Sequence, residues 1–244
     1  MALQMVFKRY ELKFMLTTEQ KERVLRAIGP YMQPDRYGRT TIRNVYFDTD
    51  TYRLIRRSIE KPAYKEKLRI RSYEQARAHS PVFVELKKKY DGVVYKRRVC
   101  LPNEDAVGWL CEHDWQHAHD SQVSEEIDYF LRYYAPLRPT VFLSYEREAY
   151  CQRDGGDFRI TFDNHIRFRQ SDLSLEAPVG ENPILEEGKV LMELKCSGGI
   201  PLWMTAVLSS ERLYKTSFSK YGTAYAAIIK GSMMYVGNDL QRTV

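Results

Sequence analysis

The sequence is poor in cysteine and has no long apolar run. Its four cysteines, Cys100, Cys111, Cys151 and Cys196, are scattered over 244 residues without a C-x-x-C spacing. This argues against a zinc ribbon, a redox pair or a dense disulfide framework, and it favours a reducing compartment. No segment approaches the roughly 20 apolar residues of a membrane-spanning helix, and residues 1–9 lack the apolar core of a signal peptide. We therefore expect a soluble, cytoplasmic protein with no membrane span.

The chain also lacks a strong excess of one charge. Lysine and arginine number 38 against 32 aspartate and glutamate, which gives a net charge of +6 and an isoelectric point near 9.0. An excess this mild favours an anionic partner, whether a nucleic acid, a membrane surface or a phosphate-rich small molecule. The positions of the charges carry more information than their sum.

Several segments alternate between charged and apolar side chains, which is the period of a β-strand with two unlike faces. Residues 65–71 are the clearest case, because four cations share one predicted face while leucine and isoleucine lie on the other. The residues predicted on charged faces are Arg9, Glu11, Lys13, Lys65, Lys67, Arg69, Arg71, Glu85, Lys87, Lys89, Arg159, Asp163, Arg167, Glu193 and Lys195. Such strands usually turn their charged face to water, but the concentration of cations favours a bound anion.

A predicted hairpin sets the register of two of these strands. Asp91-Gly92 is a strong signal for a two-residue turn between alternating runs. With that turn, Lys87 lies opposite Lys96, and Glu85 lies opposite Arg98. Like charges directly across a ladder are destabilising, so the lysine pair is expected to share a bound anion or to be relaxed by solvent.

The pattern as a whole predicts an α+β fold. We expect a closed antiparallel β-barrel of about eight strands, flanked by amphipathic helices, with its charges inside. Helices are predicted after Thr17, within residues 103–134, after Pro201 and near Ser219. Because unpaired buried charge is costly, the interior should be a basic, wet tunnel that holds a polyanion. One domain is expected over residues 1–244.

At this point the chain resembles the triphosphate tunnel metalloenzymes, a CYTH-like superfamily, and within them the vacuolar transporter chaperone (VTC) domain of polyphosphate polymerase. Short motifs in family order carry the resemblance. They are Tyr10-Glu11-Leu12-Lys13, Val45-Tyr46-Phe47-Asp48, Lys67-Leu68-Arg69-Ile70-Arg71, Val84-Glu85-Leu86-Lys87, Tyr145-Glu146-Arg147, Arg159-Ile160-Thr161-Phe162-Asp163, Met192-Glu193-Leu194-Lys195 and Phe218-Ser219-Lys220-Tyr221. Each motif alone is weak, but eight in order are specific.

The resemblance implies a metal-dependent phosphotransferase that acts on triphosphate and lengthens polyphosphate with the γ-phosphate of ATP. The implied catalytic residues are Lys13, Arg69, Arg71, Lys87, Lys96, Arg147 and Arg159. Lys195, Ser219 and Lys220 are implied to bind phosphate, and Glu193 to hold Mn²⁺ or Mg²⁺. Arginine and lysine suit phosphate oxygens, and a carboxylate suits the hard cation that bridges them. The implied partners are ATP, triphosphate and polyphosphate, with no nucleic acid and with the oligomeric state open.

Two positions depart from the family pattern. The hydrolase and cyclase branches typically begin Glu-x-Glu-x-Lys, whereas Arg9 replaces the first glutamate here, which favours the polymerase-like branch. An arginine expected after the Tyr-Phe-Asp strand falls on Ser58, and Arg56 or Arg57 is a candidate substitute. Glu11 and Glu85 are expected to act mainly as counter-ions within the basic array.

Other functions remain open from sequence. A hydrolase of tripolyphosphate or nucleoside triphosphates uses the same tunnel with water as the acceptor, and a non-catalytic polyphosphate-binding module needs no metal carboxylate. The many tyrosines permit base stacking on nucleic acid, but most fall on apolar faces. Cys111, His113, His117 and His119 suggest a zinc site only weakly, since the segment has the composition of an exposed helix end.

Overall fold

The structure is a computed structural model that describes residues 6–112 and 121–240, with side chains described for 9–112 and 121–231. The described residues form nine strands and six helices. The strands are β1 Val6–Thr17, β2 Met32–Asp48, β3 Tyr64–Ser72, β4 Pro81–Tyr90, β5 Val93–Pro102, β6 Arg138–Gln152, β7 Arg159–Arg169, β8 Asn182–Pro183 and β9 Lys189–Cys196. The helices are α1 Thr18–Ile28, α2 Arg53–Ile59, α3 Asn103–Cys111, α4 Gln122–Tyr133, α5 Leu202–Ser210 and α6 Lys220–Leu240.

Eight of the strands close into a ring. The order β6-β2-β3-β4-β5-β1-β9-β7 returns to its start because β7 also pairs with β6, and β8 adds only to the side of β7. Every pairing in this ring is antiparallel. Closure leaves no long unpaired edge, and it confirms the predicted α+β fold with a closed antiparallel sheet.

The β4–β5 hairpin has the predicted register. Asp91 and Gly92 form the two-residue turn, and both have positive φ, 44° and 86°, as a type I′ turn requires. Lys87 lies opposite Lys96 and Glu85 lies opposite Arg98. The strand pairing therefore follows from the turn chemistry.

Helices cover two sectors of the outer face of the ring. Trp109 of α3 and Ile127 and Phe130 of α4 pack on outward side chains of β3, β4 and β5. Val24 and Ile28 of α1 and Met204 of α5 pack on outward side chains of β1, β7 and β9. The predicted capping box at Thr17 and Gln20 opens α1. The apolar outer faces and the helical covering are thus as predicted.

The interior is not charged throughout, which corrects the prediction. Tyr221, Ala224 and Ile228 of α6 pack against Ile42, Val141, Leu143 and Leu191, which lie on the same inward faces of β2, β6 and β9 as Tyr46, Arg147 and Glu193. The Tyr221 ring stacks on that of Tyr46, with centroids 4.7 Å apart. Helix α6 therefore fills part of one end of the ring with apolar side chains, and its first turns also line the charged cavity.

A β-bulge changes the face of one predicted charged residue. Ser144 pairs with Arg167, but Glu146 pairs with Asn164, so β7 has one extra residue between these pairs. His165 lies in this bulge with φ 46°. The extra residue reverses the alternation, so Arg167 is exposed and Ile166 is buried. The prediction that Arg167 shares a face with Arg159 and Asp163 is therefore wrong.

A short segment after α5 pairs with β1 beyond the point where the ladder of β1 with β5 ends. Strand β1 pairs with β5 only over Val6–Arg9. Beyond that point Lys215 forms a bridge with Phe14, and the amide of Thr216 donates to the carbonyl of Lys13 at 2.7 Å. This segment leads directly into Ser219 and α6, so it sets where the first turn of that helix lies in the ring.

Candidate functional site

The ring encloses an open cavity of about 1720 Å³. Inward side chains of the eight ring strands and the segment from Lys215 to Ala226 line it, and lysines and arginines far outnumber carboxylates in this lining. The structure brings every sequence-predicted site residue to this cavity. They are Lys13, Arg69, Arg71, Lys87, Lys96, Arg147, Arg159, Glu193, Lys195, Ser219 and Lys220.

Glu85 organises the first group of cations. Its carboxylate is fully buried and accepts from Arg69 Nη2 at 2.6 Å and from Lys96 Nζ at 3.2 Å, with Arg71 Nη1 3.8 Å away. Burial raises the pKa of Glu85, but Arg71, Arg69 and Lys96 outweigh it and hold the pKa well below its usual value. Glu85 is therefore an ionised counter-ion, as predicted.

Neutral oxygens orient the two arginines of this group. Arg69 Nη1 donates to Tyr46 Oη at 2.8 Å. Arg71 donates from Nε to Asn44 Oδ1 and from Nη2 to Tyr145 Oη, both at 2.9 Å. Planar guanidinium groups held in this way keep fixed directions for further contacts to phosphate.

Asp163 and Glu193 organise the second group. Arg147 makes a bidentate pair with Asp163, with both N–O distances 2.6 Å, and reaches Glu193 at 3.3 Å. Lys220 lies 2.6 Å from Asp163 and 3.3 Å from Glu193. Burial raises the pKa of each carboxyl group, but the surrounding cations lower both below their usual values.

Two more lysines complete the surroundings of Glu193. Lys195 Nζ lies 3.0 Å from Glu193 Oε2, and Lys13 Nζ lies 3.7 Å from Oε1. Burial and the nearby Arg147 lower the pKa of Lys195 to about 8. Burial also lowers the pKa of Lys13. The cations around Glu193 are thus crowded, and burial disfavours the charged form of Lys13 and Lys195.

The lysines of the predicted hairpin pair point to different acids. Lys87 Nζ donates to Glu11 Oε2 at 2.6 Å, whereas Lys96 Nζ donates to Glu85. Burial raises the pKa of Glu11, but Lys87 brings it down to about 2. The two lysines, expected to share a bound anion or to be relaxed by solvent, thus each have a carboxylate partner of their own.

Arg159 lines an exposed part of the cavity. Its Nη2 donates to Asp35 Oδ2 at 3.0 Å, and its side chain is 42% exposed. Asp35 belongs to an irregular stretch of β2, between the pairs made by Pro34 and Arg39. Arg159 is therefore more accessible than the other predicted cations.

The sequence analysis missed Asp163 and Lys67 as members of the site. Both stood on predicted charged faces, and this was the available signal. The role of Asp163 depends on Arg147 and Lys220, which lie on other elements. Lys67 Nζ donates to Ser219 Oγ at 3.3 Å. Ser219 thus joins the cavity through a lysine that was not singled out.

The expected substitutes for the missing arginine are not in the cavity. Arg56 and Arg57 of α2 are exposed and lie outside its lining. Ser58 is buried, and its carbonyl accepts from Lys65 Nζ at 3.0 Å. Lys65 of β3 thus contacts Ser58 within the cavity, and the substitution by Arg56 or Arg57 is wrong.

The suggested zinc site cannot be placed. Cys111 is exposed at the end of α3, but His113, His117 and His119 lie outside the described residues. Within the described residues, no three His, Cys, Asp or Glu side chains cluster as metal ligands. The four cysteines, all described, are free thiols.

Comparison with known proteins identifies the family. The VTC domain model matches residues 8–229. The chain belongs to the VTC domain family. The match spans β1 to the middle of α6, so the family includes both the ring and the helix that fills part of one end.

Solved structures share this fold at low sequence identity. A putative adenylate cyclase from Bacillus halodurans is 16% identical with a TM-score of 0.55, covering 88% of this chain and 96% of its own. A putative adenylyl cyclase from Hippeastrum, with a dominant triphosphatase activity, is 13% identical with a TM-score of 0.53, covering 90% and 96%. No curated protein matches the chain in sequence. Among the described helices, none is both long and apolar enough to cross a membrane.

Proposed function

We propose that this VTC domain is a metal-dependent phosphotransferase that makes polyphosphate from the γ-phosphate of ATP. The observation that supports it is the convergence of lysine and arginine side chains from all sides of a closed ring onto one cavity. In the reaction, an oxygen of the terminal phosphate of the chain attacks the γ-phosphorus of ATP. The bond from that phosphorus to the β,γ-bridging oxygen breaks, and ADP leaves with the electron pair.

Phosphoryl transfer needs mainly positioning and neutralisation of charge on the moving group. In the proposal Arg69, Arg71 and Arg147 supply rigid donors, because buried carboxylates and tyrosine hydroxyls already orient them. Lys13 and Lys220 add point charges. The cost of orienting the cations is thus met on folding rather than during the reaction.

Glu193 is the metal ligand of the proposal. Magnesium is commonly held by one or two carboxylates together with phosphate oxygens. The buried, ionised Glu193 fits this donor set, and it lies near enough to Glu11 and Asp163 to act to raise the pKa of each. A bound Mn²⁺ or Mg²⁺ supplies charge neutralisation to the phosphates, while the surrounding lysines orient them.

A triphosphate hydrolase is the alternative, and the Hippeastrum neighbour has that activity. Water needs a base to remove its proton, and a good base has a pKa near the working pH. Glu11, Glu85, Asp163 and Glu193 are all ion-paired with lowered pKa values, which makes them poor bases. A terminal phosphate is already anionic and needs no such base, whereas a hydrolase would have to use a lysine of lowered pKa, such as Lys96 or Lys195.

The test is incubation of the purified chain with ATP and Mn²⁺, followed by a gel stained for polyphosphate. The proposal expects a ladder of polymers together with ADP. Free phosphate without polymer contradicts polymerisation and selects the hydrolase. Tight polyphosphate binding with no turnover under Mn²⁺ or Mg²⁺ selects the non-catalytic module.

A further inference from the structure

The outer face of the ring carries a guanidinium group that no acid compensates. Arg43 lies on β2, outside the cavity lining, and is only 9% exposed. Its Nε atom is buried and has no hydrogen-bond partner among the described residues. In the same part of the chain, no carboxylate comes within ion-pairing distance of this guanidinium. A buried cation that lacks both a hydrogen bond and a counter-ion is costly.

Ser72 lies directly opposite Arg43 and shares this deficiency. The two residues are partners in the ladder of β2 with β3. Ser72 is 3% exposed, and its Oγ atom has no hydrogen-bond partner within the described ranges. Directly opposed residues on one face of an antiparallel pair have Cβ atoms about 5 Å apart. The Arg43 Nε–H and Ser72 Oγ–H groups can therefore donate to one shared acceptor.

A second guanidinium group adds positive charge beside Arg43. Arg169 of β7 spends its N–H groups on neutral oxygens, the backbone carbonyls of Ser171, Asp172, Ser174 and Pro178. Burial lowers the pKa of Arg43, and the charge of Arg169 lowers it further. Exposed Glu74 acts in the opposite direction, but it lies beyond ion-pairing distance. A water molecule can satisfy hydrogen bonds here, whereas an anion also supplies the missing charge.

The chain that follows β7 encloses this position. The amide of Gly180 donates to Ser144 Oγ at 3.3 Å, and Ser144 is the cross-strand neighbour of Arg43 on β6. A Cβ atom on Gly180 would lie 2.8 Å from the carbonyl carbon of Phe168, so a glycine is needed for this close approach. Because Arg43 keeps a small exposed fraction, the enclosure admits a small ligand and excludes a long one.

The position is separate from the cavity, although it uses the same strands. Arg43, Ser72 and Ser144 lie outside the cavity lining. The residue next to each of them in sequence belongs to the inward cluster that orients Arg71, namely Asn44, Arg71 itself and Tyr145. A ligand beside Arg43 would thus lie on the reverse side of the sheet from the cations of the cavity.

We infer that Arg43 and Ser72 form a binding site for a small oxyanion of the phosphate class on the outer side of the ring. A guanidinium group presents several N–H donors to the oxygens of such an anion, and a hydroxyl group adds another donor. The enclosure selects the free inorganic anion over a phosphate group carried on a larger molecule. This site is independent of the proposed reaction, because it shares no ligand contact with the cavity.

The experiment is nuclear magnetic resonance of the full chain with ¹⁵Nε-labelled arginine, in excess EDTA and without nucleotide. Loss of one signal in Arg43→Met assigns the Arg43 Nε–H group, and Arg147→Lys assigns that of Arg147 in the cavity. Titration of the wild type with inorganic phosphate is expected to shift the Arg43 signal with an affinity of its own, different from the one that Arg147 reports. Ser72→Ala should weaken the affinity read from Arg43 by about tenfold. The affinity read from Arg147 should stay within about twofold in Ser72→Ala. Ser209→Ala, at an exposed position of α5, is the matched control and should resemble the wild type.

An Arg43 signal that phosphate does not move overturns the inference. An Arg43 affinity equal to that of Arg147 and unchanged in Ser72→Ala also overturns it, because the signal then reports only on the cavity. Acetate is the arm for a carboxylate, and tighter binding of acetate than of phosphate rejects the phosphate class. If Ser72→Ala does not fold, the difference between the two affinities in the wild type decides alone. The polymerase is judged by its own gel assay, so either proposal can fail while the other stands.

Discussion

Each buried carboxylate of this site is ion-paired with neighbouring cations, and the number of those cations differs from one carboxylate to the next. Glu85 contacts Arg69, Arg71 and Lys96, so the loss of one cation leaves two. Glu11 has its one described ion pair with Lys87. A buried charge left without its partner costs far more than the pair contributes. The two opposed lysines of the hairpin should therefore respond differently to the same substitution.

Changing Lys87 to Met should destabilise the ligand-free protein by about 1–3 kcal/mol, because the carboxylate of Glu11 loses its partner. Changing Lys96 to Met should cost less than about 1 kcal/mol, since Glu85 keeps both arginines and a like-charge neighbour is removed. Urea unfolding of the two variants checks this. The double variant Glu11→Gln/Lys87→Met is the control and should recover most of the loss. Equal destabilisation by both single variants contradicts the separate ion pairs.

Changing Glu193 to Gln tests the metal ligand of the proposal. Turnover of ATP should fall by at least about 100-fold, because the divalent cation loses its carboxylate. Tripolyphosphate binding in EDTA should survive, since Lys13, Lys195 and Lys220 remain and lose a competing anion. Activity assays and calorimetry measure the two effects, and Glu66→Gln on the outer face is the control. If the Glu193 variant keeps its metal-dependent turnover of ATP, Glu193 is not the metal ligand.

Among the elements, α2 and α6 are joined through one buried residue at the end of β2. The Asp48 carboxylate accepts from the backbone amides of Leu54 and Ile55 at 2.8 and 3.0 Å. It also accepts from Tyr221 Oη at 3.0 Å, and that hydroxyl lies 3.0 Å from Thr140 Oγ1. Asp48 of the Tyr-Phe-Asp motif thus holds the first turn of α2 and the first turn of α6 without facing the cavity.

Changing Asp48 to Ala should destabilise the protein by at least about 3 kcal/mol, because several hydrogen bonds to one buried carboxylate are lost together. Tyr221→Phe removes a single hydroxyl and should cost about 1–2 kcal/mol while leaving the stacked ring in place. Thermal and urea unfolding measure both. Thr51→Ala, at an exposed position of the same loop, is the control. A Tyr221→Phe loss as large as that of Asp48→Ala indicates that α2 does not depend on this carboxylate.

For the whole molecule, crowding of cations makes stability depend on pH. Burial and neighbouring arginines lower the pKa of Lys96 to about 7 and that of Lys195 to about 8. Lys13, Lys65 and Lys67 are lowered in the same direction, chiefly by burial. In the unfolded chain the same lysines keep their protons until about pH 10. Between these values the unfolded state binds more protons, so stability rises with pH.

The melting temperature of the ligand-free protein is therefore expected to rise by several degrees from pH 7 to pH 8.5. Lys96→Met and Lys195→Met should each flatten this slope, because each removes one of the groups that change protonation. Lys88→Met, on the outer face, should keep the wild-type slope. Scanning calorimetry in the presence of a reducing agent measures it. A melting temperature that falls over this range contradicts the lowered lysine pKa values.

Sequence alone determined the features that depend on neighbours along the chain. Alternation with a period of two separated the charged faces from the apolar faces, and the Asp91-Gly92 turn set Lys87 opposite Lys96. The motifs around Lys13, Arg69 and Glu193 led to the correct family. Each of these follows from residues a few positions apart, and therefore it could be read before the chain was folded.

Tertiary structure decided which of those features meet. Ring closure depends on β6 pairing with both β2 and β7, and the bulge that exposes Arg167 depends on that second pairing. The partner of each cation also lies far along the chain, as in the pairs Lys87 with Glu11 and Lys220 with Asp163. The apolar side chains of α6 occupy one end of the ring because burial there removes them from water. Alternation could assign a side chain to a face, but only the assembled ring determined which lysines have an acid beside them.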